Sequence, residues 1–141
     1  MKKIFVDTDV IIDLLIDRKP FSNHSKVLFD LADKNKLQIW ISSLSISNIY
    51  YVIRKFVGEA KSRSVIRDLL DIVEVQGVNK KEVLDAFSSN FKEFEDAIQH
   101  STAESITGIT AILTRNTRDY KSSNLPVFSP EIFLKKSFPN Q

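Results

Sequence analysis

Five short apolar runs, separated by stretches of helical length, set the strongest limit on what this chain can fold into. Each run is rich in β-branched or aromatic residues and is too short for a helix, so it predicts a buried strand. The predicted strands are Lys3–Val6, Leu37–Ile41, Ile72–Val75, Ala111–Thr114 and Val127–Phe128. Strands that alternate with helices pair in parallel through right-handed crossovers. The sequence therefore predicts an α/β fold, a three-layer α/β/α sandwich around a mainly parallel sheet of about five strands.

The stretches between these runs predict helices. They are Val10–Ile16, His24–Asn35, a strongly apolar helix reaching about Phe56, Glu59–Leu70, Lys80–Ser88, Phe94–Ser105 and a short final helix. We expect Asp9 to cap the first helix and Ser22 or Asn23 to cap the second. Ser42 or Ser43 is expected to start the third, and Pro130 suits the first turn of the last.

Composition narrows the class of protein. The chain has 141 residues, 43% hydrophobic and 27% charged, which predicts a single globular domain over residues 1–141. The lack of cysteine and the presence of only two histidines exclude thiolate zinc sites and disfavour histidine-rich metal sites. No segment approaches the ~20 apolar residues of a membrane-spanning helix, so we expect a cytoplasmic protein. The aromatic residues expected in the core are Phe5, Phe29, Trp40, Phe56, Phe87 and Phe94.

Polar residues follow two of the predicted strands, at the edge where open parallel sheets bind ligands. Asp7 directly follows the first strand, and Asp9 lies two residues further on. Asn116 and Asp119 follow the strand Ala111–Thr114. We expect the sheet to bring these two loops to one edge.

Carboxylates gathered without cysteine or a suitable histidine favour a hard cation, Mg²⁺ or Mn²⁺. Such an ion polarises a phosphodiester and lowers the pKa of a bound water. Arg115, Arg118 and Lys121 lie in the same loop as Asn116 and are candidates for contacts with neighbouring phosphates. The pattern therefore indicates a class of chemistry without naming a substrate.

Two further residues have alternative interpretations. Asn48 has apolar residues one helical turn on either side, which predicts a buried amide with a hydrogen-bond partner. It either makes a structural hydrogen bond or points into the crevice beside Asp7. Asp96 faces away from the sheet if aromatic residues form the buried stripe of its helix. It faces inward with His100 and Ala103 if the helix packs through small residues.

Four blocks in order resemble the PIN (PilT N-terminus) domain, the fold of VapC-type toxin nucleases. The blocks are Ile4–Leu15 followed by Arg18–Pro20, Ser42–Asn48, Phe94–Gln99 with Ala103, and Ile112–Tyr120 followed by Leu125–Leu134. The resemblance spans nearly the whole chain. It implies a metal-dependent endoribonuclease in which acidic residues bind one or two Mg²⁺ or Mn²⁺ ions. Water then attacks phosphorus in line and leaves 5′-phosphate and 3′-hydroxyl ends.

The resemblance also assigns residues and partners. Asp7 matches the first acid of the family, Asp96 the third, and Thr8 the small hydroxyl residue beside the first. Many members are toxins paired with an antitoxin, and they commonly form dimers. The resemblance therefore implies RNA as substrate, a cognate antitoxin and a homodimer.

This chain departs from the family pattern at two acids. Asn48 stands where the second acid is usually glutamate, and Asn116 stands where the fourth is usually aspartate. Asp119 is a candidate to supply the missing carboxylate. Because an asparagine brings no negative charge, we expect at most one well-bound ion, held by Asp7, Asp96 and Asp119 through waters.

Two other hypotheses remain open from the sequence. A catalytically degenerate PIN domain that binds RNA or a protein is favoured by Asn48 and Asn116. A haloacid dehalogenase-like phosphatase is suggested by the segment Val6–Val10, with Asp7 as nucleophile and Asp9 as acid–base. The downstream lysine and the acidic Gly-Asp-type motif of those phosphatases are not evident.

Overall fold

The computed structural model describes residues 1–140, so Gln141, the last residue of the predicted domain, lies outside the described part of the chain. The strands are β1 (Lys3–Val6), β2 (Gln38–Ser42), β3 (Glu74–Gln76), β4 (Ile109–Leu113) and β5 (Val127–Phe128). They form one sheet in the order β3-β2-β1-β4-β5, and every neighbouring pair is parallel.

Seven α-helices connect and flank these strands within residues 1–140. They are α1 (Thr8–Leu15), α2 (Phe21–Asp33), α3 (Ser43–Val57), α4 (Glu59–Leu70), α5 (Lys80–Phe87), α6 (Phe94–Glu104) and α7 (Pro130–Ser137), with a 3₁₀ helix at Thr117–Tyr120. None of the helices in this part of the chain is both long and apolar enough to cross a membrane.

Both faces of the sheet are covered, as the alternation along β1 shows. Ile4 and Val6 belong to the larger core, which the helices α1 to α4 and α7 help to form. Phe5, between them, points to the other face and packs in a smaller core with Ala103 of α6 and Tyr120. Because successive strand residues point to opposite faces, this pattern requires a layer of structure on each side. The predicted three-layer α/β/α sandwich is confirmed.

The helix starts agree with the sequence in two cases and differ in two. Ser42 caps α3 by accepting a hydrogen bond from the backbone N–H of Ser45, and Pro130 occupies the first turn of α7. The prediction of Asp9 as the cap of α1 was wrong, because Asp7 is the cap and its side chain accepts from the N–H of Thr8. Helix α2 begins at Phe21, before the expected caps, and its N-cap residue makes no side-chain hydrogen bond.

The expected aromatic core was only partly right. Phe5 and Phe29 are buried, whereas Phe56, Phe87 and Phe94 are 63%, 71% and 45% exposed. The buried stripe of α3 advances by four residues, through Ser45, Ile49 and Ile53, and so misses Phe56. Phe87 ends α5 and Phe94 begins α6, and their rings pack against each other with centroids 4.6 Å apart. Trp40 is half-buried.

Candidate active site

The carboxyl ends of β1 and β4 bring the two predicted loops together. These strands are neighbours, with Val6 paired to Leu113, and the N–H of Asp7 donates to the carbonyl of Leu113 at 2.9 Å. Asp7 and Thr114 therefore follow their strands side by side. Both are buried, with exposed fractions of 7% and 0%.

The carboxylate of Asp7 accepts hydrogen bonds from four donors. Its Oδ1 accepts from the N–H of Thr8 at 2.8 Å and from Nε2 of Gln99 at 3.3 Å. Its Oδ2 accepts from the hydroxyl of Thr114 at 2.9 Å and from that of Tyr120 at 3.2 Å. Burial, followed by the charge of Asp7, raises the pKa of Tyr120, so the phenol stays protonated and remains a donor. Donors from several elements thus hold one buried acid in place.

Gln99 is a site residue that the sequence analysis missed. It lies on α6, is fully buried, and contacts hydroxyl groups at the starts of α1 and α3 as well as Asp7. A glutamine in a polar helix is ordinarily exposed, so its residue type alone gave no signal. The available signal was its position one turn after Asp96, on a helix that packs through small residues.

Helix α6 packs through its small residues, the second of the two alternatives for Asp96. Ala97, His100 and Ala103 are buried, while Asp96, in the first turn, is half-buried at the edge. The pKa of Asp96 is raised to about 7 by partial burial and, after that, by the negative charges of Asp7 and Asp119. Gln99, one turn after Asp96 on α6, contacts Asp7, so the start of α6 and Asp7 lie at the same edge of the sheet.

Asp9 occupies the same edge in a different way. Its Oδ2 accepts from the N–H of Arg115 at 3.1 Å and from Nδ2 of Asn116 at 3.3 Å, whereas its buried Oδ1 has no partner among residues 1–140. Burial first, and the charge of Asp7 second, raise the pKa of Asp9 to about 7. Asn116 thus reaches the site through Asp9 instead of binding Asp7.

Asn48 makes a hydrogen bond to the start of α6. The residue is half-buried on α3, and its Nδ2 donates to Oε1 of Glu95 at 2.9 Å. Glu95 precedes Asp96, so Asn48 joins α3 to the start of α6. The expected hydrogen-bond partner of Asn48 is therefore present, and it is the residue next to Asp96.

The basic residues of the second loop fall into two groups. Arg115 makes two hydrogen bonds to the buried carboxylate of Asp13, and its guanidinium lies 4.1 Å from the ring centroid of Phe21. Arg118 and Lys121 are exposed. Asp119 is also exposed, on the 3₁₀ helix, and lines an open depression of about 350 Å³ together with Arg115, Asn116, Thr117 and Arg118. Arg118 and Lys121 are the side chains free to meet a ligand here.

These observations define an α/β protein with an acidic site at the carboxyl edge of its sheet. A family model described as a PIN domain matches residues 3–118. Ribonuclease VapC1 of Aquifex aeolicus (strain VF5) is 30% identical over 140 residues, which cover 96% of this chain and 95% of that protein. The chain belongs to the PIN domain family.

Solved structures agree on the fold. VapBC2 from Rickettsia felis, bound to a DNA fragment from its promoter, superposes with a TM-score of 0.69 at 18% identity, over 90% of this chain and 98% of that chain. DNA-bound VapBC from Salmonella typhimurium gives 0.68 at 18% identity, over 92% and 99% of the two chains. Membership of the PIN family removes the basis for the haloacid dehalogenase-like hypothesis.

Nucleases of this family generally depend on divalent cations, and the donors at this site fit such an ion. All are oxygen atoms, as hard cations prefer, and Asp9 carries a buried oxygen that nothing else satisfies. Burial first, and the charge of Asp7 second, raise the pKa values of Asp9 and Asp96, and a bound cation would favour their charged forms. Within residues 1–140 no three acidic or histidine side chains form a compact ligand group.

Proposed function

We propose that this protein is a metal-dependent endoribonuclease of the PIN type and the toxin of a toxin–antitoxin pair. The observation that carries the proposal is the buried Asp7 carboxylate, held by four donors at the sheet edge that Asp96 shares. The similarity to a protein named as a ribonuclease over nearly the full length of both chains supports the same activity.

In this proposal the acidic residues have separate tasks. Asp7, Asp96 and Asp119 would hold Mg²⁺ or Mn²⁺, with Asp119 acting through water because it is exposed. When bound, the ion supplies charge stabilisation for the phosphodiester and a lower pKa for the attacking water. The overall reaction is in-line attack of water on phosphorus, which leaves 5′-phosphate and 3′-hydroxyl ends.

The amides and the hydroxyl beside these acids act through their neighbours. Asn48 and Asn116 would orient carboxylates, since each donates to one, Glu95 and Asp9 respectively. Their lack of charge favours a single well-bound ion. Thr8 bonds Ser45 at 2.8 Å and would help to shape the substrate pocket beside Asp7.

The basic loop would bind the RNA backbone. Arg118 and Lys121 are exposed next to Asp119 and suit contacts with phosphates on either side of the cleaved bond. Arg115 would contribute less charge, because Asp13 already neutralises it.

The proposed partners follow from the structural neighbours. Complexes named VapBC share this fold, including one from Klebsiella pneumoniae described as a toxin–antitoxin complex. We therefore propose a cognate antitoxin. The resemblance to the PIN family also implies a homodimer, and RNA as the proposed substrate implies a cytoplasmic location.

Asp7→Asn tests the proposal most simply. The amide keeps the size of the side chain and an acceptor for the Thr8 N–H, so the variant should remain folded, yet it removes the central negative charge. We expect cleavage of an RNA oligonucleotide in Mn²⁺ to be lost. Asp30→Asn, at an exposed acid on α2, is the matched control and should cleave like the wild type. Equal cleavage by Asp7→Asn and the wild type would reject the role of Asp7.

A catalytically degenerate PIN domain is the second candidate. It is favoured by the two amides, Asn48 and Asn116, which stand where the family usually has acids. Calorimetric titration separates the two functions, since a binding module would take up no Mn²⁺ at millimolar concentration and would cleave no RNA.

A further inference from the structure

Gln99 is the buried polar residue that links three parts of the candidate site. It lies on α6 with none of its surface exposed, one helical turn after Asp96. A buried primary amide is costly unless its oxygen and both N–H groups have partners. The hydrogen-bond partners of Gln99 therefore indicate its role in the site.

The two ends of the amide face different neighbours. Its oxygen accepts a hydrogen bond from the hydroxyl of Ser42, at the junction of β2 and α3. Its nitrogen lies 2.9 Å from Oγ of Ser45, 3.3 Å from Oγ1 of Thr8 and 3.3 Å from Oδ1 of Asp7. Three acceptors thus share two N–H bonds, and α6 is tied to the starts of α1 and α3.

The direction of these bonds is fixed by the chain itself. The Ser42 oxygen is engaged as the cap of α3, where it accepts from the N–H of Ser45 at 3.2 Å, so its own hydrogen is free for the oxygen of Gln99. This contact turns the donor end of the amide toward Asp7. A cap at the start of one helix therefore sets which atoms of Gln99 meet the acid.

We propose that Gln99 is a positioning residue that fixes the orientation of the Asp7 carboxylate. The inference rests on the proposed ribonuclease function and extends it to a residue that touches no substrate. Gln99 is one of two donors to Oδ1 of Asp7, and the other is the backbone N–H of Thr8. Removing it leaves Oδ1 with a single donor and loosens the carboxylate on the side of α6.

Gln99→Met tests this role, since it keeps the length of the side chain and removes every hydrogen bond. Misplacing a catalytic group lowers turnover without weakening substrate binding, so we expect kcat for RNA to fall about 10- to 100-fold while KM stays within about threefold. Thr102→Val is the control. Thr102 is equally buried on α6, but its hydroxyl donates to the carbonyl of Ile98. Its kcat should stay within about twofold of the wild type.

Gln99→Glu is the second variant, in case methionine prevents folding. It keeps the shape and the acceptor for Ser42 but turns a carboxylate oxygen toward Asp7 in place of a donor. The same loss of kcat is expected. A folded Gln99 variant with wild-type kcat would overturn the proposal.

Crystal structures of the wild type and the folded Gln99 variant separate this inference from the proposed function. We expect the Asp7 carboxylate to rotate or to occupy several positions in the variant. An unchanged Asp7 refutes the positioning role, whether or not the protein cleaves RNA. A displaced Asp7 in a protein whose wild type cleaves no RNA supports the positioning role and refutes the ribonuclease.

Discussion

The acids at the sheet edge fall into two regions that differ in burial and in hydrogen bonding. Asp7 is buried, and four donors from the surrounding elements contact its two oxygens. Asp96 and Asp119 lie at the outer rim, half-buried and exposed, and the charge of Asp119 helps to raise the pKa of Asp96. The inner region fixes one carboxylate by hydrogen bonds. The outer region leaves negative charge uncompensated, ready for a cation.

Thr114→Val should have the largest effect on stability, because it breaks the inner region. The Thr114 hydroxyl is buried and donates to Asp7, and it also contacts Asp9 at 3.4 Å. Hydrogen bonds to charged groups contribute about 1.5–3 kcal/mol, so the free energy of unfolding should fall by that amount in urea titrations. Thr110→Val removes an exposed hydroxyl from the same strand and should cost less than about 0.5 kcal/mol. Equal losses of unfolding free energy in the two variants would show that the hydrogen bond to Asp7 contributes no more than the exposed one.

Asp96→Asn tests the outer region through the pH dependence of stability. The pKa of Asp96 is raised from 3.8 to about 7, so between these values the folded protein keeps a proton that the unfolded chain releases. The wild type therefore loses stability as pH rises through this window, and the variant lacks this loss. Without divalent cations, the Tm of the variant relative to the wild type should be higher at pH 8 than at pH 4. Allowing for solvent screening, we expect a difference of about 1–4 °C. A difference that does not change with pH would contradict the raised pKa of Asp96.

Mn²⁺ should restore the stability that the wild type loses as Asp96 becomes charged. Binding to the folded state alone adds RT ln(1 + [L]/Kd), about 1.4 kcal/mol at ten times Kd, so Tm should rise with metal concentration. The rise should be smallest in Asp96→Asn and intermediate in Asp119→Asn, because Asp119 is exposed. Asp33→Asn, at an exposed acid at the end of α2, should respond like the wild type. Equal rises in all four proteins would exclude the rim as the metal site.

Arg118→Ala and Lys121→Ala should have the smallest effects, confined to binding. Each removes an exposed charge, so KM for RNA should rise a few-fold while kcat stays constant. The slope of log KM against log salt should fall by about 1 in each variant. Lys36→Ala, at an exposed lysine before β2, should leave both quantities unchanged. A loss of kcat with constant KM would place these side chains in the chemical step instead.

The fold was predictable because its signals are local. β1 and β5 have the predicted bounds, and Ser42 and Pro130 mark helix starts through side-chain chemistry that acts within one turn. Phe87 and Phe94 were wrongly expected in the core. Their hydrophobicity does not reveal that they lie at helix termini, where both are exposed.

Topology predicted the candidate site residues that follow strands, whereas Asp96 was assigned through the family resemblance. Asp7 and Asn116 were found because strand ends meet at one edge, a rule that depends on topology alone. The partners of Asn48 and Gln99 were not predictable. Asn48 meets Glu95, 47 positions away, and Gln99 meets Asp7, 92 positions away, so both contacts depend on how α6 docks.

A crystal of the wild-type protein soaked in Mn²⁺ tests directly whether Asp7 and Asp96 bind a divalent cation together. Anomalous scattering locates manganese independently of any activity, so the result does not depend on choosing the right RNA. We expect a manganese peak between the carboxylates of Asp7 and Asp96, with water in the remaining coordination positions. Manganese bound elsewhere, with this edge of the sheet empty at millimolar concentration, would contradict it.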